Sequence, residues 1–73
     1  MQDDIYSKEH KKLIVRIIQA RKEAGLSQVE AAKRLGRSQS YISKMEVGQR
    51  KIDVIELKKI ARIYDKPLNY FIN

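Results

Sequence analysis

The stretch SQVEAAKRLGRSQSYISKMEVG, residues 27–48, sets two short helical patterns on either side of Gly36. Ser27 and Glu30 form an S-x-x-E capping box, in which hydroxyl and carboxylate each accept a backbone N–H at a helix start. A helix therefore begins near Gln28 and runs to Leu35, where Gly36 permits the left-handed backbone that ends it and turns the chain. Ser38 caps a second helix, in which Ile42 and Met45 lie one turn apart and face inward, and Gly48 closes it. Two helices of about two turns joined by a glycine turn make a helix-turn-helix over about 28–46, whose first helix braces the second. Ala32 is the small residue where the helices cross, and Leu35, Ile42 and Met45 back them with apolar surface. Ser38, Gln39, Ser40, Ser43 and Lys44 are left pointing away from the body. Too polar for a core, these short or flexible groups match the hydrogen-bonding base edges of a major groove about 12 Å wide.

Working outward, residues 7 to about 24 repeat Leu13, Ile14, Ile17, Ile18, Ala20 and Ala24 at spacings of three and four, with Lys11, Lys12, Arg16 and Lys22 between them. That is an amphipathic helix closed by Gly25. Downstream, Asp53 and Glu56 repeat the capping-box pattern, with Ile52 and Leu57 as a hydrophobic staple around it. The helix that follows should bury Val54, Leu57, Ile60, Ala61 and Tyr64 and leave Lys58, Lys59 and Arg62 in water. Lys66 and Pro67 break it, and Leu68 to Ile72 reads as a last short turn of helix. With no strand pattern, repeat or low-complexity tract, the expectation is one all-α domain over residues 1–73, with residues 1–6 flexible.

At 73 residues the chain buries only roughly 60% of the surface its unfolded form exposes and leaves no room for a second, ligand-sensing domain. It has no cysteine, hence neither a disulfide framework nor a thiolate metal site, which fits a reducing cytoplasm. No apolar run approaches the roughly 18 residues of a membrane span. The single histidine, His10, reads as a solvated residue of the first helix. Net charge is +7, and Lys33, Arg34, Arg37, Lys44, Arg50 and Lys51 face the single acid Glu46 across residues 33–51. Such a balance favours a polyanionic partner.

The pattern Arg21, Gly25-Leu26-Ser27-Gln28, Ala32, Gly36, Ser38, Ile42-Ser43, Glu46, Gly48, Arg50, Leu57 and Ile60-Ala61 resembles the Cro and phage-repressor (XRE) type of helix-turn-helix DNA-binding domain. The resemblance covers roughly residues 13 to 72 and implies a compact five-helix, lambda-repressor-like fold. It implies a backbone-phosphate contact for Gln28, assisted by the N–H groups of a helix N-terminus. Gln39 and Ser40 would enter the groove, Gln39 with a bidentate contact to adenine, and Ser43 and Lys44 would reach a base edge or the flanking backbone. Arg21 and Glu46 fall where the family has a structural ion pair, which accounts for the one acid inside the basic stretch. Three positions depart from the pattern. Ala31 stands where leucine is common, Arg37 occupies a turn site often apolar or small, and Ile52 replaces a frequent proline. Arg37 is either a phosphate contact or a solvated residue; Tyr41, Arg50 and Lys51 complete the expected phosphate contacts.

A domain this small grips few base pairs, so useful specificity is expected from a homodimer reading two half-sites about 34 Å apart. Leu68, Tyr70, Phe71 and Ile72 are the candidate dimer surface, unless Leu68 and Phe71 merely close the monomer core. The expected protein is a cytoplasmic regulator of double-stranded DNA, with no cofactor, metal, membrane or small-molecule ligand, controlled by its own concentration. Chains of this size and pattern resemble both phage Cro-like repressors and the controller proteins of restriction–modification systems. An antitoxin-like protein-interaction module is the rival. An enzyme is not expected, because caps and exposed faces account for the acids.

Overall fold

The computed structural model describes residues 7–72; residues 1–6, read above as flexible, lie outside the described residues, as does Asn73. Five helices follow one another: α1 Lys8–Glu23, α2 Gln28–Leu35, α3 Gln39–Glu46, α4 Val54–Ile63 and α5 Asn69–Ile72. No strand occurs among the described residues.

The starts of α1 to α4 each follow from a capping side chain. The Ser7 hydroxyl accepts the His10 N–H at 3.0 Å. At α2 both halves of the capping box form: Glu30 N–H donates to Ser27 Oγ at 3.1 Å, and Ser27 N–H donates to Glu30 Oε1 at 2.9 Å. That backbone donor, followed by the Ser27 hydroxyl, holds the Glu30 carboxyl below its usual range. Ser38 Oγ accepts the Tyr41 N–H at 3.2 Å, and the Asp53 carboxylate accepts the Glu56 N–H at 2.8 Å. Gly36 ends α2 with φ +70°, which lets Arg37 N–H reach the Ala32 carbonyl at 2.9 Å.

α1 packs on α3 and α5, and α2 packs on α3 and α4. The core between them encloses Ile17, Ile42, Met45, Ile60 and Tyr64 almost completely. Each such side chain contributes roughly 1.5–3 kcal/mol relative to exposure. α2 adds Ala31 and Ala32, both buried, with Leu35 half-buried at its end, so this helix lies close against its neighbours.

Five expectations need correction. Ala24 is exposed, because it lies past the last turn of α1 where the chain already bends. Val54 is 57% exposed: it keeps the period of Leu57, Ile60 and Ala61 but sits in the first turn of α4, beyond the edge of the core. That helix ends at Ile63, before Lys66 and Pro67, because Asp65 takes φ +58° and brings Lys66 N–H to the Ala61 carbonyl at 2.9 Å. His10 is half-buried, with Nε2 out of solvent. Phe71 is only 4% exposed and closes the monomer core, so it is withdrawn from the candidate dimer surface. Leu68 and Tyr70 are half-buried against the same core, and Ile72 is 64% exposed.

α5 is tied to the body through Tyr70, whose ring meets Phe71 edge-on at 5.2 Å. The Arg16 guanidinium lies 5.2 Å from the centre of that ring and Lys66 Nζ 4.7 Å from it. Lys66 is in turn bonded to Glu23 Oε1 at 2.5 Å, which holds the Glu23 carboxyl below and the Lys66 ammonium above their ordinary values.

Candidate nucleic-acid interface

α3 is a helix of eight residues, about 12 Å long, braced from behind by α2. Its inward side chains, Ile42 and Met45, are fully buried. On the opposite side Ser38, Gln39, Ser40 and Lys44 are exposed and Ser43 is half-buried. The five residues read from sequence as base contacts therefore border one helix, but not all are equally available. The Ser38 oxygen is already occupied as a cap, although its hydroxyl hydrogen is not.

Beneath this face runs a chain of hydrogen bonds that crosses three helices. Arg21 of α1 donates through Nε to Glu46 Oε2 at 2.6 Å and through Nη2 to Glu46 Oε1 at 3.0 Å, and its Nη1 reaches the Leu26 carbonyl at 2.8 Å. The two side chains are 11% and 6% exposed. The hydrogen bond to Glu46 pushes the Arg21 pKa further up, against the opposing effect of burial. Glu46 Oε1 also accepts Gln28 Nε2 at 3.0 Å, and Gln28 Oε1 accepts Gln39 Nε2 at 3.4 Å. Two consequences follow. The only acid of the basic stretch is neutralised by Arg21 and does not oppose a phosphate. Gln28, expected at the DNA backbone, bridges the ion pair to Gln39 and retains one amide hydrogen for another partner.

The second feature is a cation–aromatic stack at the α2–α3 turn. Arg37 lies 4.9 Å from the centre of the Tyr41 ring and Arg50, from the loop after α3, lies 4.3 Å from it. The Tyr41 hydroxyl is buried and has no hydrogen-bond partner, so the expectation that it reaches a phosphate is corrected. What Tyr41 offers is its ring, which holds two guanidiniums beside α3. Arg37 also lies 3.9 Å from Glu56 of α4. Lys51 is exposed on the same loop as Arg50. The spacing of four between Arg37 and Tyr41 was the one available signal for this stack. The Gln28 bridge and the approach of Glu56 join elements whose separation in sequence carries no such signal.

Among the described residues no group of three or more His, Cys, Asp or Glu gathers to hold a metal ion, and no helix is long and apolar enough to cross a membrane. α3 is thus a braced polar helix flanked by cations. A helix-turn-helix family model matches residues 17–71, three quarters of the chain, and the protein belongs to this family, the Cro/C1 (XRE) type. Its members are DNA-binding transcription regulators, so double-stranded DNA is the ligand class and the role is regulatory. No curated protein matches the chain.

Proposed function

We propose that this protein binds a short palindromic operator as a homodimer, with α3 of each protomer in the major groove, and thereby regulates transcription. The observation that carries the reading is the state of Gln39. Its Nε2 gives one hydrogen to Gln28, which leaves the other hydrogen and Oε1 for a base. That remaining donor and acceptor are the pair that adenine N7 and N6–H require. Ser40, Ser43 and Lys44 extend the contact along the helix, and the Ser38 hydroxyl hydrogen lies at its mouth. Arg37, Arg50, Lys51 and the free amide hydrogen of Gln28 supply phosphate contacts, and Tyr41 positions the two arginines. The outward dimer surface is built around Ile72 with the accessible edges of Leu68 and Tyr70.

The test is selection of bound sequences from a random duplex library with wild-type and Gln39→Ala proteins. The wild type should recover a palindrome with half-sites one helical turn apart, bound about a thousandfold or more tighter than mixed sequence. Gln39→Ala should fold normally and lose about tenfold in affinity per half-site, with relaxed choice at one position. Unchanged affinity and base preference would sink the assigned role. A second reading, a protein-interaction module, draws on the groove of about 490 Å³ lined by Val15, Ile18 and Val47. Binding to every duplex alike, with affinity set by salt alone, would favour it.

A further inference from the structure

Arg37 sits where the reading unit meets α4. Tyr41 holds its guanidinium from one side at 4.9 Å, and Glu56 Oε2 lies 3.9 Å from its Nη2. The two neighbours act differently on it. The ring orients the cation and leaves its donors open, whereas the carboxylate competes for its charge. Glu56 is 14% exposed against 53% for Arg37, so the carboxylate is fixed in the body and the arginine is the member able to leave. A charge-assisted hydrogen bond would close to about 2.7–2.9 Å; at 3.9 Å the pair attracts without engaging the arginine's hydrogens. Asp53, Leu35, Ile55 and Lys59 border the same shallow hollow. The Asp53 carboxylate is turned to the helix cap, which leaves Glu56 as the acid facing Arg37.

From this juxtaposition we infer that Glu56 is an internal counter-ion that competes with DNA phosphate for Arg37 and so sets the affinity of the interface. The inference rests on the DNA-binding reading. A phosphate contact carries no sequence information, so Glu56 weakens binding to every duplex by the same factor and leaves base preference alone. Arg37 exchanges one anion for another as DNA arrives, and the carboxylate it leaves stays within range to draw it back.

The experiment measures affinity by fluorescence anisotropy over a salt series, for the selected duplex and for a mixed-sequence duplex of roughly 21 base pairs, two helical turns. Glu56→Gln should bind both about two- to fivefold more tightly at low salt, the range of an exposed ion pair, and the gain should shrink as salt rises. In an Arg37→Gln background the same change should do nothing. Glu56→Ala should reproduce the gain, which separates loss of the carboxylate from any effect of the new amide, with thermal melts checking that each variant folds. No gain overturns the inference, and so does a gain that survives without Arg37, which would be a general charge effect, or one confined to the selected duplex. If Gln39→Ala and Arg37→Gln both leave binding untouched, the DNA-binding reading itself has failed. If Arg37→Gln weakens binding while Glu56→Gln changes nothing, only the counter-ion role has failed.

Discussion

Tyr41 of α3 carries Arg37 and Arg50 on its ring, and Tyr70 of α5 carries Arg16 and Lys66, with every cation within 5.2 Å of its ring centre. Both hydroxyls are buried without a partner. The difference lies in the counter-ions. Lys66 is bonded to Glu23 at 2.5 Å, so this cation joins the end of α1 to the approach to α5 and serves as a strut. Arg37 has its carboxylate at 3.9 Å, so it keeps its place on the ring but not its charge balance. The same arrangement thus ties α1 to α5 at one end and, in the function proposed above, holds cations for DNA at the other. In the structure the two are set apart by the distance to the paired acid.

The sharpest attempt to break this comparison removes the cations. Replacing Arg37 and Arg50 together by glutamine should weaken DNA binding about a hundredfold or more, since charge-assisted contacts contribute about 1.5–3 kcal/mol each. The slope of log affinity against log salt should flatten by about two per protomer. Arg16→Gln, at the other tyrosine, should change affinity less than about twofold. Equal losses at both ends, read by anisotropy at one salt concentration, would erase the distinction.

A second test removes the rings. Tyr70→Ala should cost about 2 kcal/mol of folding stability, at the low end for loss of a large side chain from a core because Tyr70 is half-buried. In a domain of this size that lowers Tm by roughly 8–16 °C. The folded fraction should bind a single half-site as the wild type does, because Tyr70 borders the proposed dimer surface and not α3. Tyr41→Leu keeps apolar volume but gives up the platform for two arginines, and should cost about three- to tenfold in DNA affinity. If Tyr70→Ala impairs half-site binding of folded protein as much as Tyr41→Leu does, both stacks serve the interface.

The two ends also differ in how far the sequence reveals them. The helix-turn-helix was legible because its signals are local: the S-x-x-E box at Ser27, the left-handed turn at Gly36 and the cap at Ser38 each act within four residues. The α4–α5 end was read less well. Asp65 adopts the left-handed conformation that glycine usually takes, and Pro67 drew attention to a break that had already occurred at Ile63. Phe71 stayed open between dimer surface and monomer core because a four-residue helix has no period from which to read its inner face. Within the candidate site, exposure followed from α3 alone, since Ile42 and Met45 define its inner side. The contacts that set charge and orientation, Gln28 to Glu46 and Arg37 to Glu56, depend on how three helices meet and have no trace in spacing.

The smallest predicted effect concerns a third tyrosine, Tyr64, which shares a buried, unpartnered hydroxyl with the other two but has no cation on its ring among the contacts described. Burial, aided by the Glu46 charge and opposed by Arg21, pushes its pKa from 10.0 up to about 12. The folded chain therefore keeps this proton where the unfolded chain gives it up. The associated stability is complete below pH 10 and is lost as pH rises through about 12. Tyr64→Phe removes the titration along with a hydroxyl that makes no hydrogen bond. At pH 7 it should change stability by less than about 1 kcal/mol, because no bond is broken, while the loss of stability between pH 10 and 12 becomes shallower. Chemical denaturation across that range, set beside Tyr41→Phe and Tyr70→Phe, shows whether an orphan hydroxyl under a charged pair differs from one under a cation stack. If Tyr64→Phe leaves the alkaline limb as steep as before, burial beside Glu46 is not what holds the proton, and the three tyrosines differ only in which cations they carry.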